Sequence, residues 1–448
     1  MKKRIVIIGA GPTGLGAAYR LNELGYQNWK IYEKNSFVGG LASSFRDKKG
    51  FTWDIGGHVL FSHYDRFNQV FEKLLKGEYV CHERKAFIRL FDRWIPYPFQ
   101  NNIRYLPKKA LLECLHGLIE AKGEKTKPKN FNDWIFSTFG KGIAKYFMVP
   151  HNRKVWAYPL SQMDINWIGE RVSVVDVKRI LDNISSERDD VAWGPNNSFK
   201  FPLYGGTGNI FSRIASIIKD HLVLNSELTA IDSKRRELIF RDDLRDSYGC
   251  LINTSPLTTL IKILRPARAG LRENGKMLKH NSIFVVGLGL AGRCPENKCW
   301  VYTPEEKSPF FRVTYFSNYS PFNVPVSRRY WSLMCEVAYS KLKPEREETV
   351  ISQTIKGLQN CSMLDSKAVK KIVSRVLIKS EFAYPIPAIG RDSLLKYIQG
   401  SLEDNSIFSR GRFGAWKYEV GNLDHSFMQG MEIADRLVLN KKESVWQK

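Results

Sequence analysis

The 448-residue chain contains no run of 18 apolar residues, so no membrane-spanning helix is expected. Cysteine is scarce: seven residues, at 81, 114, 250, 294, 299, 335 and 361, odd in number and without a repeating pattern. That argues against a disulfide scaffold and for a reducing interior. Cys294 and Cys299 have no companion pair of Cys or His, so no metal site is expected. Several catalytic signatures are also missing. There is no G-x-S-x-G elbow, no H-E-x-x-H and no P-loop. The five-residue spacing of His58 and His63 is poor for sharing a helical face. Negative charge is under-represented, with 45 Asp+Glu against 69 Lys+Arg, a net +24. This surplus favours acidic partners: phosphorylated metabolites, nucleic acid or an anionic membrane face. With 43% hydrophobic and 25% charged residues, a disordered or collagen-like chain is excluded.

The N-terminal segment resembles a signal peptide, with Lys2-Lys3-Arg4 before Ile5-Val6-Ile7-Ile8. The apolar run ends after those four residues in a glycine loop, so a cytoplasmic location is expected. Ile5 to Ile8 have the unbroken β-branched character of a strand buried on both faces of a parallel sheet. Gly9-Ala10-Gly11-Pro12-Thr13-Gly14 then reads G-x-G-x-x-G. A helix to about Leu24 follows, and a second strand, Trp29 to Tyr32, ends at Glu33. The three glycines give a tight turn, a backbone approach to pyrophosphate and close helix–strand packing, while Glu33 can accept from ribose hydroxyls. A second glycine pair, Gly39-Gly40 before Leu41, has no role in a plain NAD unit, and the dinucleotide is read as FAD. No second G-x-G-x-x-G of similar quality indicates a built-in NAD(P)H domain.

Further along, residues 108–121 place Leu111, Leu112, Leu115, Leu118 and Ile119 on one expected helical face. Lys122 to Lys129 reads as a solvated connector. Residues 131–190 look largely helical, with Phe131, Trp134, Ile135 and Phe139 as core. Gly205 to Gly208 opens another helix with Ile210, Ile214, Ile217 and Ile218 inward. Strands are expected at 282–290, 311–317 and 330–338, and a helix at 347–358. The segment 93–102 is too proline-rich for a helix or a central strand. Its aromatic rings and amides suit stacking on a base, and clusters of aromatic, amide and cationic residues recur up to Asn422.

The segments WDIGGHVLFSHY (53–64), WIPYPFQNN (94–102), KPKNFNDWI (127–135), NRKVWAYP (152–159), WIGERV (167–172), WGPNNSFKFPLYGGTGNI (193–210), CWVYTPEEKSPFFRVTYFSNYSPFN (299–323) and SRGRFGAWKYEVGNLDHSFMQG (409–430) resemble the eukaryotic-type UDP-galactopyranose mutases, of the amine-oxidase-like FAD superfamily. The likeness runs in order over nearly the whole chain. It implies an α/β fold: a Rossmann-like FAD-binding domain with a helical insert domain and a second, mainly antiparallel β-sheet domain. The expected division is 1–95 (FAD), 96–192 (helical, substrate-capping), 193–235 (FAD), 236–405 (antiparallel sheet) and 406–448 (FAD). It implies a redox-neutral isomerase interconverting UDP-galactopyranose and UDP-galactofuranose for glycan synthesis, by attack of reduced flavin N5 on the anomeric carbon. Other readings are a mutase on UDP-N-acetylgalactosamine, an amine- or porphyrinogen-oxidising flavoenzyme, and a nucleic-acid binder, although no nucleic-acid module is present.

By the same resemblance, Arg171 and Arg312 grip the diphosphate, and Tyr384 and Tyr418 donate hydroxyls to it. Tyr97, Phe99, Gln100, Phe147, Met148, Asn152 and Trp156 surround the uridine. Asn196, Trp300, Tyr302, Arg412 and Asn422 lie around sugar and flavin, and His58, after Gly56-Gly57, lies near the flavin's central ring. Gly9, Gly11, Gly14, Glu33, Gly40 and Leu41 belong to the FAD side. Two departures stand out. Val149, His151 and Arg153 replace an expected Arg, Tyr and aromatic, and the passage from Pro325 to Tyr330-Trp331 lacks an insertion found in longer members. An external reductant such as NAD(P)H is expected as a partner. Weak attraction to an anionic membrane and homo-oligomer formation are left open.

Overall fold

The three-dimensional structure is a computed structural model and describes residues 3–123, 127–174, 176–191 and 197–447. Ile5–Ile8, buried along its whole length, is the middle strand of a five-stranded parallel sheet. Its neighbours are Cys250–Asn253 on one side and Trp29–Tyr32 on the other, and Ile407–Ser409 and Leu222–Val223 form the edges. Burial on both faces explains the unbroken β-branched run. The strand 250–253 falls inside the stretch expected to form the antiparallel sheet, and the chain returns to the parallel one there. A parallel strand can come from any distance along the chain, so segment order does not reveal such an exchange.

The helix Pro12–Glu23 leaves the first strand through the glycine turn and packs against the long helix Leu423–Leu439. Their crossing is close because both present glycine. A Cβ on Gly16 would run into the Phe427 carbonyl, and one on Gly430 would lie 2.7 Å from the Ala17 nitrogen. Around this crossing Leu15, Leu21 and Phe427 are fully buried, each such apolar side chain contributing about 1.5–3 kcal/mol.

A seven-stranded sheet carries the other half of the molecule, in the order Ile372–Pro385, His280–Ala291, Tyr330–Tyr339, Arg312–Tyr315, Trp300–Tyr302, Ala86–Leu90, Arg93–Pro96. All pairings are antiparallel except 300–302 with 86–90. The proline-containing strand 93–96 takes an edge, where a missing N–H does no harm. The same strands put residues 86–96 on this sheet rather than with the early FAD-side segment.

The helical unit consists of Lys108–Gly123, Phe131–Ile143, Val149–Trp156 and Val177–Ser185. Here the expected inner face of 108–121 is corrected. Leu112 and Ile119 are more than half exposed, and the buried face is Ala110, Cys114, Gly117, Leu118 and Ala121. Glycines set this rotation: Gly117 meets Gly140 and Gly142 of the next helix with no room for a Cβ, so the two backbones touch where leucines would hold them apart. Ile217 is likewise exposed, and Ile210, Phe211, Ile214 and Ile218 carry that helix's core contacts.

Candidate active site

The glycine turn after the first strand has the shape a dinucleotide requires. Gly9 adopts φ +95, and a Cβ on Gly14 would strike the Gly9 carbonyl. Above Gly11 there is open space, the nearest atom to an added Cβ being Gly40 Cα at 3.9 Å. Gly11 caps the helix without any side-chain bond, and an uncapped helix N-terminus suits pyrophosphate. Glu33, almost fully buried, takes the Ala10 N–H at 2.8 Å and the Asn35 backbone and side-chain N–H groups at 2.9 and 2.7 Å. The Gly39-Gly40 turn closes over Gly11 from the other side. This cradle fits FAD.

A cavity of about 920 Å³ opens between the parallel sheet, the helical unit and the antiparallel sheet. Of the residues singled out in the sequence, Leu41, Gly56, Gly57, His58, Tyr97, Arg171, Arg312, Tyr384, Arg412, Tyr418 and Asn422 line it. Strand register explains part of this convergence. Tyr302 pairs with Arg312 and Arg312 with Glu336, so the three stand in one row across adjacent strands. Arg312 Nη2 donates to Glu336 Oε1 at 2.8 Å, and Nε donates to Oε2. Burial works against the arginine's charge, but Glu336 outweighs it and holds the guanidinium well above its ordinary pKa.

Two further arginines face the same space. Arg171 donates to the Glu419 carbonyl and sits 5.3 Å from the Tyr418 ring centre. Arg412 donates to the Gly421 carbonyl at 2.7 Å and the Ala383 carbonyl at 3.2 Å, with Tyr384 5.5 Å below it. The Glu419 carboxylate does not neutralise them, since it forms a two-pronged pair with Arg391 at 2.7 and 2.9 Å. Burial pushes the Tyr384 hydroxyl up to about 12 against the opposing pull of Arg312, so it remains a donor. His58 is driven the other way, down to about 3, by burial and then by Arg412 and Arg312. Its ring is neutral, and Nδ1 has no hydrogen-bond partner among the described residues.

The residues expected around uridine form a connected aromatic set beside this cavity. Tyr97 and Tyr302 are 5.5 Å apart, Phe99 stacks on Phe147 at 4.8 Å, and Trp156 meets Tyr418 at 4.7 Å. Phe99, Phe147, Met148 and Trp156 are buried in the helical core. Asn152 accepts from Trp156 Nε1 and donates to the Met148 carbonyl, and Gln100 donates to the Ser173 carbonyl. Trp300 is buried two residues along the strand from Tyr302 of the cavity row and pairs with Thr314. Asn196 lies outside the described residues.

Sequence reasoning missed other residues at the cavity: Phe61, His63, Tyr64, Glu336, and the Asp424–His425 pair, in which Nδ1 and Oδ1 are 3.0 Å apart and Ser62 donates to Oδ2. Glu336 had a legible signal, a lone carboxylate in the apolar strand Tyr-Trp-Ser-Leu-Met-Cys-Glu-Val-Ala, which demands a buried cation. Among the described residues no group of three or more Asp, Glu, His or Cys could hold a metal, and no helix is long and apolar enough to cross a membrane.

Residues 7–74 match the family model of a NAD(P)-binding Rossmann-like domain. Among curated proteins, a 4,4'-diapophytoene desaturase of Staphylococcus haemolyticus is 42% identical over 90 residues, and a zeta-carotene desaturase of Capsicum annuum 37% identical over 73. These matches take in only 17% and 12% of the relatives' own lengths. Among solved structures, a fatty acid isomerase from P. acnes, TM-score 0.66 at 14% identity over 97% of this chain and 98% of that one, shares the fold. So does a putrescine oxidase, at TM-score 0.64, 15% identity, and 98% and 99% coverage. A reduced UDP-galactopyranose mutase superposes at TM-score 0.96 with 43% identity, over 100% of this chain and 96% of that one. Together with the dinucleotide cradle and the arginine-lined cavity, that full-length match assigns the chain to the UDP-galactopyranose mutases, FAD-dependent isomerases of the amine-oxidase-like superfamily.

Proposed function

We propose that this enzyme interconverts UDP-galactopyranose and UDP-galactofuranose, with Arg171, Arg312 and Arg412 converging on the nucleotide's diphosphate. The convergence of three guanidinium groups in one cavity is the observation that carries this reading. A reaction that releases a diphosphate from an anomeric carbon and reattaches it must keep the departing anion close. Charges fixed beforehand do this best, because no reorganisation is needed as negative charge develops. Glu336 fixes Arg312, and backbone carbonyls fix Arg171 and Arg412. Tyr384 and Tyr418 supply hydroxyl donors beside them. The aromatic set around Tyr97, Phe99 and Trp156 supports uridine binding, with Gln100, Asn152, Phe147 and Met148 shaping that pocket. Bound FAD, in its reduced form, supplies the nucleophile at N5. The neutral imidazole of His58 suits a place beside it, because a third unpaired cation there would disfavour the positive charge that develops on the sugar as the diphosphate leaves.

On this reading the product serves glycan synthesis, and an external electron donor such as NAD(P)H keeps the cofactor reduced. Two arms of one experiment test the reading: anaerobic incubation with UDP-galactose, with and without dithionite, followed by chromatography of the nucleotide sugars. A furanose product that requires dithionite supports it. No conversion by the reduced enzyme, together with turnover of UDP-N-acetylgalactosamine, moves the substrate assignment. Steady oxygen uptake with an amine and no sugar conversion overturns it.

A further inference from the structure

The end of the antiparallel sheet remote from the cavity carries a surface that the isomerase reaction does not use. Ile283 lines the cavity and Ala291 lies eight residues on in the same strand, which separates them by ~26 Å at 3.3 Å per residue. Three turns meet at the Ala291 end. The turn 47–50 touches the segment 320–329: Thr52 N donates to the Asn323 carbonyl at 3.0 Å, and a Cβ on Gly50 would lie 3.3 Å from Pro325 Cβ. Gly292 N donates to the Arg329 carbonyl at 2.7 Å and ties in the third turn.

Apolar side chains protrude from this end. Phe45 is 39% exposed, Tyr204 42%, Val326 47% and Phe322 49%, and the rings of Tyr204 and Phe322 are 4.4 Å apart. Around them stand six exposed cations, Arg46, Lys48, Lys49, Arg293, Arg328 and Arg329, none of which forms an ion pair among the described residues. Local acids do not answer them. The Asp47 carboxylate takes hydrogen bonds from Lys49 N, Phe51 N, Trp53 Nε1 and Ser374 Oγ, and Glu296 is paired to Lys298.

We propose that this end is a peripheral docking surface for an anionic lipid bilayer. Half-exposed apolar tips ringed by unpaired cations match the two layers of a membrane surface, apolar acyl boundary and anionic headgroups. Phe322 and Val326 stand on the segment 320–329, Tyr204 packs against Phe322, and Phe45 leads into the 47–50 turn, so the tips come from adjoining segments that a yielding surface can accommodate together. A nucleic-acid site would present a groove that follows the phosphate backbone instead. The overall charge of +24 adds a long-range pull toward the same partner.

Flotation of the FAD-loaded enzyme with vesicles tests this, comparing pure phosphatidylcholine with vesicles containing roughly one third phosphatidylglycerol. The wild type is expected to float with the anionic vesicles at low salt and not with the neutral ones. Each surface cation contributes about fivefold, so Arg328→Glu/Arg329→Glu is expected to weaken binding about 25-fold or more. Phe322→Ser/Val326→Ser is expected to weaken it while leaving the salt dependence intact. Both variants should keep flavin content and solution turnover, which reports an intact fold. The proposal is overturned if both variants float like wild type, if neutral vesicles bind equally, or if the wild type ignores vesicles and instead retards duplex DNA or RNA in a salt-dependent gel shift.

Discussion

Arg312→Ala removes a cation that has two tasks, and the structure allows them to be separated. Its partner Glu336 has a side chain only 2% exposed and stands opposite it on the neighbouring strand. Stripping the guanidinium away leaves a carboxylate in a dry site, which typically costs ~3–5 kcal/mol of stability. The proposed grip on the departing diphosphate is lost as well, worth ~2–5 kcal/mol when a charged contact is truncated. At ~1.4 kcal/mol per decade, that is about 30-fold to several thousand-fold in turnover. The double variant Arg312→Ala/Glu336→Leu deletes the stranded acid along with the arginine. Urea unfolding of the flavin-loaded proteins is expected to give a lowered midpoint for Arg312→Ala and recovery to within ~1 kcal/mol for the double variant. Anaerobic turnover with saturating FAD is expected to remain lost in both. Recovery of turnover in the double variant would refute the reasoning, because it would make the arginine a fold-stabilising partner of Glu336 and nothing more.

Two further tests bear on the frame that holds the site. Asp54 is fully buried, and burial raises its pKa to about 6 although Ser44 and Thr207 donate to it. The folded value lies above the unfolded 3.8, so this group's share of stability is present below about pH 4 and is lost as pH rises through about 6, roughly 3 kcal/mol in all. Asp54→Asn should flatten that part of the profile, and urea midpoints at about pH 4.5 and about pH 7.5 that fall in parallel for both proteins would contradict this. Lys154 is buried, with Nζ donating to the carbonyls of Thr303, Glu305 and Phe310 at 2.8, 2.6 and 3.1 Å and to Ser308 Oγ at 3.0 Å. It ties the helix bearing Asn152 and Trp156 to the loop that leads into Arg312. Lys154→Met is therefore expected to cost about 3 kcal/mol or more and to raise KM for the UDP-sugar more than it lowers kcat. An unchanged midpoint and KM would show that the tie carries no load.

The glycine cradle was legible because its reasons are local. Gly14 must be glycine owing to a carbonyl five residues before it, and Glu33 follows from the end of the next strand. The cavity was legible only through resemblance. Arg171, Arg312 and Arg412 are brought together by strand pairing and by the helical insert, and neither register nor insert placement is written in residue spacing. The unread parts share a cause. Leu112 and Ile119 were placed inward because apolar residues were counted, whereas glycine contacts at 117, 140 and 142 decide which face turns in. Glu336 and Lys154 are buried ionisable groups, which demand partners. Which partners they find depends on contacts 24 and 149 or more residues away.

The two glycines before His58 bring the sides of the cavity that the proposal gives to flavin and to diphosphate into direct contact. Gly56 adopts φ +96, and a Cβ there would lie 3.0 Å from Glu336 Oε1. One on Gly57 would lie 2.8 Å from Thr314 Oγ1 and 3.4 Å from Arg312 Cζ. The turn that presents His58 therefore lies directly against the side chains of Glu336, Arg312 and Thr314, with no side chain of its own glycines in between. In the proposed reaction the nucleophile's side and the leaving group's side must keep one spacing while the bond between sugar and diphosphate is broken and remade, since misplacement by an ångström is costly in rate. A bulky or jointed connection would let that spacing drift. Backbone laid directly against these side chains, one of them a doubly hydrogen-bonded arginine, leaves few soft degrees of freedom, and this gives the Gly56-Gly57 pair a mechanical reason to be glycine apart from any contact with the cofactor.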